Sequence, residues 1–402
     1  MKKEFLFCAL VMSCIFSCDS RKEEVEINFL TTPAEKNSQL PNLFTSEAGD
    51  IYLSWVETTE EESQLYYSQL IGQEWSKATQ ISKGDNWFVN WADFPSMIVG
   101  ENSMAAHWLQ KSAQGTYDYD IKISTSVQGE GWSPAFTPHQ DGIQAEHGFV
   151  SMLPMKDDHI FATWLDGRNT KTAQHEGSEM QHSGAMTLRA GIFDPKGQTI
   201  SAWELDDMTC DCCQTSAVMS DEGPIVVYRD RSTQEIRDIF LTKYNGNEWS
   251  KPIPVANDFW EIAGCPVNGP DLAISEEKLA VVWYTASGNT PKVQLAISED
   301  LGNSFLPPKT LSEGNTLGRV GISPYPNGRF VVTWMERTAS HANIFIAIIN
   351  EDGTIQERVK LAETSMERAS GFPQVTTQDS RIIVAWTEYE KQPRVQTASF
   401  SF

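Results

Sequence analysis

One pattern recurs seven times along this chain and restricts its fold more than any other feature. The stretches YLSWVE, MAAHWLQ, IFATWLDG, IVVYRDR, AVVWYTA, FVVTWMER and IIVAWTE each run from β-branched or apolar residues to an aromatic and then to a polar residue. The aromatics are Trp55, Trp108, Trp164, Tyr228, Trp283, Trp334 and Trp386, so successive copies lie 53, 56, 64, 55, 51 and 52 residues apart. A sustained period of this length marks one supersecondary unit repeated along the chain, each copy burying its apolar faces against its neighbours.

Within a unit a short strand such as FPSMIV or GFPQVTT precedes the aromatic-bearing strand. A strand like VQLAISE follows, then a tight turn and a segment like EWSKPIPV. Four short strands per unit, separated by Gly, Asn, Asp and Pro turns and without helical periodicity, predict an all-β fold: a β-propeller of four-stranded blades, seven by this count with six as the alternative. Two β-sandwiches would match the strand content but not a single period along the whole chain. The last unit ends after three strands at RVQTASFSF, and EVEINFL, residues 24–30, is the expected fourth. Pairing the two ends of the chain in one blade would close the ring and remove its exposed edges.

The amino terminus carries Lys2 and Lys3, an apolar run from Phe5 to Phe16, and then Ser17-Cys18. A positive start, a short apolar segment and a small residue before cysteine describe a bacterial lipoprotein signal, with Cys18 as the lipidated residue. The domain expectation is therefore a signal peptide over 1–17 and one propeller over 18–402. Localisation follows as the cell envelope, periplasmic or at the surface, with the membrane reached only through the lipid. A formal net charge of -23 argues against nucleic acid and anionic membrane surfaces as partners. An extracellular glycan or anionic small molecule remains.

One turn carries a family signal. SEDLGNSF, residues 298–305, has the form S-x-D-x-G-x-[ST]-[FW], and degenerate versions surround Gly72/Trp75, Gly129/Trp132 and Gly246/Trp249. It resembles the Asp box of the sialidase (BNR-repeat) superfamily, in which the aspartate accepts backbone N–H groups and the glycine supplies a positive φ. The resemblance implies a propeller and an exo-acting glycoside hydrolase on an anionic glycan. In such an enzyme arginines hold the substrate carboxylate, a tyrosine paired with glutamate is the nucleophile, and an aspartate is the acid/base. Asp93 is the residue implied as acid, and Tyr389 beside Glu388 as the nucleophile pair. The chain departs from the family in its seven units, where those sialidases have six blades, and in lacking the F/Y-R-I-P tetrapeptide that carries one of the arginines. The competing reading is a propeller that binds a ligand or metal without hydrolysing a glycan.

Propeller geometry sorts the polar residues by face. Segments entering each first strand, and loops between second and third strands, share one mouth. The entering segments are NWADF, AEHGF, TCDCCQTS, EIAGCPVNGP, LGRVG and MERASGF. Asp93, Glu146, His147, Asn268, Arg319 and Arg368 are expected near the axis. Around them are expected Asp166, Arg168, Arg229, Asp230, Arg231, Arg237, Glu336, Arg337 and Glu388. Guanidinium groups in that number inside an acidic protein suit a carboxylate ligand, although each could instead pair with a neighbouring acid. The same face receives Cys210, Cys212 and Cys213 at the fourth entry and Cys265 at the fifth. Four cysteines in an oxidising compartment can form disulfides, with Cys265 joined to Cys212 or Cys213. No cofactor is expected on that reading. The alternative is a thiolate site for Zn or Cu, which His147 could complete, and a catalytic thiol is the third use.

Overall fold

The computed structural model describes residues 25–127, 129–171, 184–389 and 391–402, so the expected signal peptide and Cys18 lie outside the described residues. Seven antiparallel sheets succeed one another along the chain, and their first strands contact each other in turn until the first meets the last. This is a seven-bladed β-propeller. Blades 1 to 7 span residues 38–84, 96–136, 147–209, 216–254, 271–313, 316–364 and 374–400. In blade 2 the outermost place is marked only by a bridge between Ile123 and Phe136. Among the described residues no helix is long and apolar enough to cross a membrane.

The second strand of each blade is the core of the protein. Ile160–Asp166 and Pro224–Arg229 are buried at every position. A strand covered on both faces by neighbouring blades has no solvent side, which is why these stretches read as continuous apolar runs rather than alternating ones. Outer strands such as Thr199–Thr209 are largely uncovered. In three blades the polar residue after the aromatic now has a cause. Residues i and i+2 of a strand share a face, so the indole N–H of Trp55, Trp164 and Trp334 donates to Glu57, Asp166 and Glu336 at 2.8, 3.0 and 2.9 Å. Glu336 also accepts from Ser312 Oγ and Arg358. Glu336, expected in a ligand-facing ring, has one carboxylate oxygen engaged by all three and is a partner of the core indole.

Closure occurs through the chain's two ends. Asn28–Leu30 pairs with the last strand, Pro393–Phe400, as the outermost strand of blade 7, in the register Asn28 to Ser399 and Leu30 to Thr397. Val25 and Ile27 pack onto the core between blades 6 and 7, and Phe29 meets Trp386 edge to face. Deleting residues 25–30 removes this cover and exposes an eight-residue edge. We expect the shortened protein to melt about 5–10 °C lower and to aggregate on heating; a melting temperature equal to that of the full chain would contradict the closing role.

The SEDLGNSF turn is held locally. Asp300 accepts from Ser304 N–H at 2.8 Å, Ser298 Oγ accepts from Gly302 N–H at 2.7 Å, and Gly302 has φ +85°.

Candidate functional site at the mouth of the ring

In five of the seven blades a residue with positive φ marks the entry to the first strand. Leu40, Phe149 and Arg319 occupy positive φ, at 58°, 54° and 54°, where the pairing of blades 1, 3 and 6 slips register. Val267 and Gly371 take the same region, at 50° and 60°, in the entries to blades 5 and 7. Non-glycine residues resist this conformation, so it persists only where surrounding bonds fix it. Those bonds cross the axis. Asp93 accepts the Phe149 amide at 2.7 Å, and Phe149 O accepts from Thr215 Oγ1 at 2.8 Å. Gln214 donates to Ala92 O and accepts from Gly269 N–H. Asn268 Oδ1 accepts the Arg319 amide, and the Arg319 guanidinium donates to Ser370 Oγ and Gly371 O. The entries of blades 2 to 7 are thus tied into one plate. Beneath it lies an axial cavity of about 480 Å3 lined by the first strands. Two glycines are required by this approach: a Cβ on Gly148 would lie 2.0 Å from an Asp93 oxygen, and one on Gly269 would lie 2.1 Å from Gln214 O.

At one side of the plate a phenol bridges two carboxyl groups. Tyr119, the first residue of the third strand of blade 2, places its hydroxyl 2.8 Å from Asp93 Oδ2 and 2.9 Å from Glu146 Oε1, donating its one proton to either carboxylate and able to accept from the other carboxyl when that is protonated. Tyr119 and Asp93 are buried, while Glu146 is half-exposed and presents the outer end of the group. Burial is the main cause that pushes Asp93 up to about 7 and Glu146 up to about 8, in each case against the hydrogen bond from Tyr119. Mutual repulsion between the two carboxylates adds to the rise of Glu146. The phenol is raised well above its ordinary range by the same burial. Glu146 therefore holds a proton at neutral pH, as a general acid must.

The entry segment that carries Asp93 also contributes to an aromatic and cationic group. Trp91, half-exposed, stacks on Phe372 at 5.7 Å, and the guanidinium carbons of Arg319 and Arg368 lie 5.0 and 5.9 Å from its ring. Arg319 is buried and directed at backbone carbonyls; burial and the charge of Arg368 lower it to about 10. Arg368 is exposed at the rim.

The remaining expected residues divide clearly. Arg229 is 1% exposed and bonds to three carbonyls, of Asn268, Arg237 and Tyr284, so its side chain rivets blade 4 to blade 5 and faces no ligand. Asn268 is consumed in the same seam. Arg237 donates to Glu235 and reaches Cys210 Sγ at 3.4 Å, and Arg231 pairs with Asp211 and Glu235. Burial, followed by repulsion from Asp206, raises Asp230 to about 7. Glu388 accepts from Gln396, and Tyr389 lies opposite Pro393 at the end of a blade 7 strand. The structure does not join that pair to Asp93, whose partners are Tyr119 and Phe149. His147 lies on the blade 3 side, with Nε2 3.0 Å from Asp141, and Arg168 ties Asp141 to Asp166. Tyr119 and Trp91 were the residues missed. Trp91 stood inside the quoted segment NWADF, and Tyr119 in TYDYD looks like any polar turn.

Cys212 and Cys265 form a disulfide between the entries of blades 4 and 5, with Cα atoms 5.9 Å apart. Cys210 and Cys213 remain as buried thiols whose sulfurs lie 2.8 Å apart. Burial opposes ionisation of Cys210, but the Cys213 thiol and the Arg229 and Arg237 charges outweigh it and bring it to about 6; burial and that neighbour raise Cys213 well above the usual range.

Neither a protein-family model nor a curated protein matches this chain. Solved structures do match in shape. The polysaccharide lyase Uly1 overlays with a TM-score of 0.54 at 8% identity, covering 90% of each chain. A PL25 ulvan lyase bound to -[GlcA(1-4)Rha3S]- overlays with a TM-score of 0.52 at 10% identity, covering 94% of each. A neuraminidase-like protein gives 0.45 at 9% identity, covering 92% of this chain and 91% of its own. At these identities the likeness establishes the propeller fold.

Proposed function

We propose that the protein binds an anionic glycan across this mouth and cleaves it with Glu146 as the acid. The observation that carries the reading is the Asp93–Tyr119–Glu146 group, in which a half-exposed carboxyl retains its proton beside an aromatic and arginine rim. Trp91 offers an apolar face to a sugar ring, and Arg368 offers a guanidinium to a carboxylate or sulfate. Glu146 protonates the departing glycosidic oxygen as its C–O bond breaks; hydrolysis is completed by water adding to the sugar carbon, elimination by loss of the proton next to the uronate carboxylate to solvent, with the C–H electron pair forming the double bond. Tyr119 and Asp93 are positioning residues: the Tyr119 hydroxyl fixes the carboxyl in place, while burial and the nearby Asp93 carboxylate favour its protonated form. The GlcA-bearing ligand of the comparable lyase supports an acidic polysaccharide as the substrate class. The export signal and Cys18 support an encounter outside the cytoplasm, with the protein anchored by lipid in the cell envelope.

A panel of sialylated, uronate-containing and neutral oligosaccharides tests the reading. Acidic members are expected to bind and to be cleaved. Elimination would be recognised by the ultraviolet absorbance of an unsaturated uronate, and hydrolysis by a new reducing end without it. Arg368→Ala should weaken binding of acidic members about tenfold while leaving the melting temperature unchanged, since the side chain is exposed. Equal binding of neutral and acidic members, or an unaltered Arg368→Ala protein, would refute the anionic assignment.

A further inference from the structure

Four cysteines meet at the seam of blades 4 and 5, and the proposed glycan chemistry uses none of them. Cys210 and Cys213 flank a two-residue turn, Asp211-Cys212, and are only 0% and 1% exposed. A turn of this kind brings its first and fourth Cα atoms within about 7 Å, which is near the reach of a disulfide. Their sulfurs lie 2.8 Å apart, inside the roughly 3.5–4.0 Å at which even carbon atoms rest against each other. Cys210 Sγ is also met by the Arg237 guanidinium at 3.4 Å and by the backbone N–H of Cys212. These donors suit a thiolate, which makes Cys210 the nucleophile of the pair and Cys213 its thiol neighbour. Cys212, in the turn itself, is half-buried and bonded to Cys265, which is exposed. The sulfur of Cys212 lies within 4.8 Å of both thiol sulfurs. A buried dithiol thus backs onto a disulfide whose other residue meets solvent.

We propose that these four cysteines form a thiol–disulfide exchange centre, in which the buried pair is oxidised and reduced through the exposed Cys212–Cys265 bond. The Cys210 thiolate attacks Cys212 Sγ: a Cys210–Cys212 bond forms, the Cys212–Cys265 bond breaks, and Cys265 leaves as a thiolate that takes a proton from solvent. Cys213 then attacks Cys210 Sγ, the Cys210–Cys212 bond breaks, and the proton of Cys213 passes to Cys212. The products are a Cys210–Cys213 disulfide and two thiols at Cys212 and Cys265. Two electrons have moved outward and none has left the protein. A small-molecule disulfide, RSSR, accepts them: Cys265 attacks it and releases one RSH, and Cys212 attacks the resulting Cys265–SR bond, restoring the Cys212–Cys265 disulfide and releasing the second RSH. The sum is a chain with both disulfides closed, and a small thiol reverses each step. Burial of Cys210 and Cys213 bars RSSR from the inner pair, so the exposed bond is the route. The contacts that hold Cys210 as a thiolate favour the reduced inner pair, so its disulfide is the more readily reduced of the two. Each inward exchange opens the covalent link between blades 4 and 5 beside Gln214, whose amide ties the entries of blades 2 and 5.

The whole protein equilibrated with mixtures of reduced and oxidised glutathione, then acid-quenched, alkylated under denaturing conditions and mapped by mass spectrometry, tests the proposal. Under mildly reducing mixtures Cys210 and Cys213 should be alkylated and Cys212–Cys265 intact. Excess oxidised glutathione should remove both thiols and yield a Cys210–Cys213 bond, reversibly. In samples quenched during oxidation the glutathione adduct should sit on Cys265 and not on Cys210 or Cys213. Cys212→Ser/Cys265→Ser, with its melting temperature recorded, should lose the two remaining thiols at least tenfold more slowly than the wild type. Two thiols that survive excess oxidised glutathione would overturn the exchange centre; adducts on Cys210 or Cys213, or a folded serine double variant that oxidises at the wild-type rate, would overturn its route. None of these readouts depends on glycan cleavage.

Discussion

Arg229→Ala is expected to lower the melting temperature by about 5 °C and to leave much of the expressed protein insoluble. Arg229 Nε and Nη2 share the Asn268 carbonyl at 3.1 and 2.9 Å, Nη1 reaches Arg237 O and Nη2 reaches Tyr284 O, both at 2.6 Å. Its guanidinium also covers Trp260 at 5.0 Å. Truncation leaves three carbonyls without a donor in a site that is 1% exposed. At roughly 1–3 kcal/mol for each orphaned group, the loss is on the order of 4 kcal/mol, which is large beside the net stability of a folded chain. Arg229→Lys should recover only part, because a compact ammonium cannot span carbonyls arranged for a planar fork. The alanine change also removes a positive charge that holds Cys210 down, so the Cys210 thiol should titrate at higher pH in Arg229→Ala than in the wild type. Thermal denaturation decides the matter: an Arg229→Ala protein that melts with the wild type would show that the seam between blades 4 and 5 does not rest on this residue.

The fold was legible because its signal is repeated and local. Seven aromatic-ended strands reveal the blade count, and a last unit one strand short reveals the closing partner, 28–30, at the other end of the chain. The indole-to-acid contacts lie two residues apart and were visible as a motif, yet Glu336 resembled a ligand-facing charge because sequence does not show what a charge faces. Arginines were the hardest to assign for the same reason. Arg229, Arg319 and Arg368 look alike as letters, but the first two are surrounded by carbonyls of residues distant in the chain and only the third is exposed at the rim. The Asp93–Tyr119–Glu146 group joins residues 26 and 27 positions apart, from the entries to blades 2 and 3 and a strand between them. No spacing rule marks such a meeting.

Glu146→Gln is the other change with a large expected effect, here on activity and not on folding. The amide keeps the size of the side chain and a carbonyl for the Tyr119 hydroxyl, so the plate of entry segments stays tied. What it loses is the proton that the carboxyl holds up to about pH 8. General-acid assistance is worth roughly 100- to 10,000-fold, and cleavage should fall by at least the lower figure. The sign of the pH dependence follows from the acid form being the active one: wild-type cleavage is full below the raised value and declines as pH rises through about 8. Tyr119→Phe should move that limb, because it removes the hydrogen bond that opposes the upward shift of both carboxyls. The most direct measurement is the pH profile of kcat/KM on an acidic oligosaccharide for wild type and Glu146→Gln, with melting temperatures recorded alongside. The account predicts a wild-type limb near pH 8, its absence together with at least a 100-fold loss in the variant, and closely matched melting temperatures; a Glu146→Gln protein that cleaves at the wild-type rate with the same limb would contradict it.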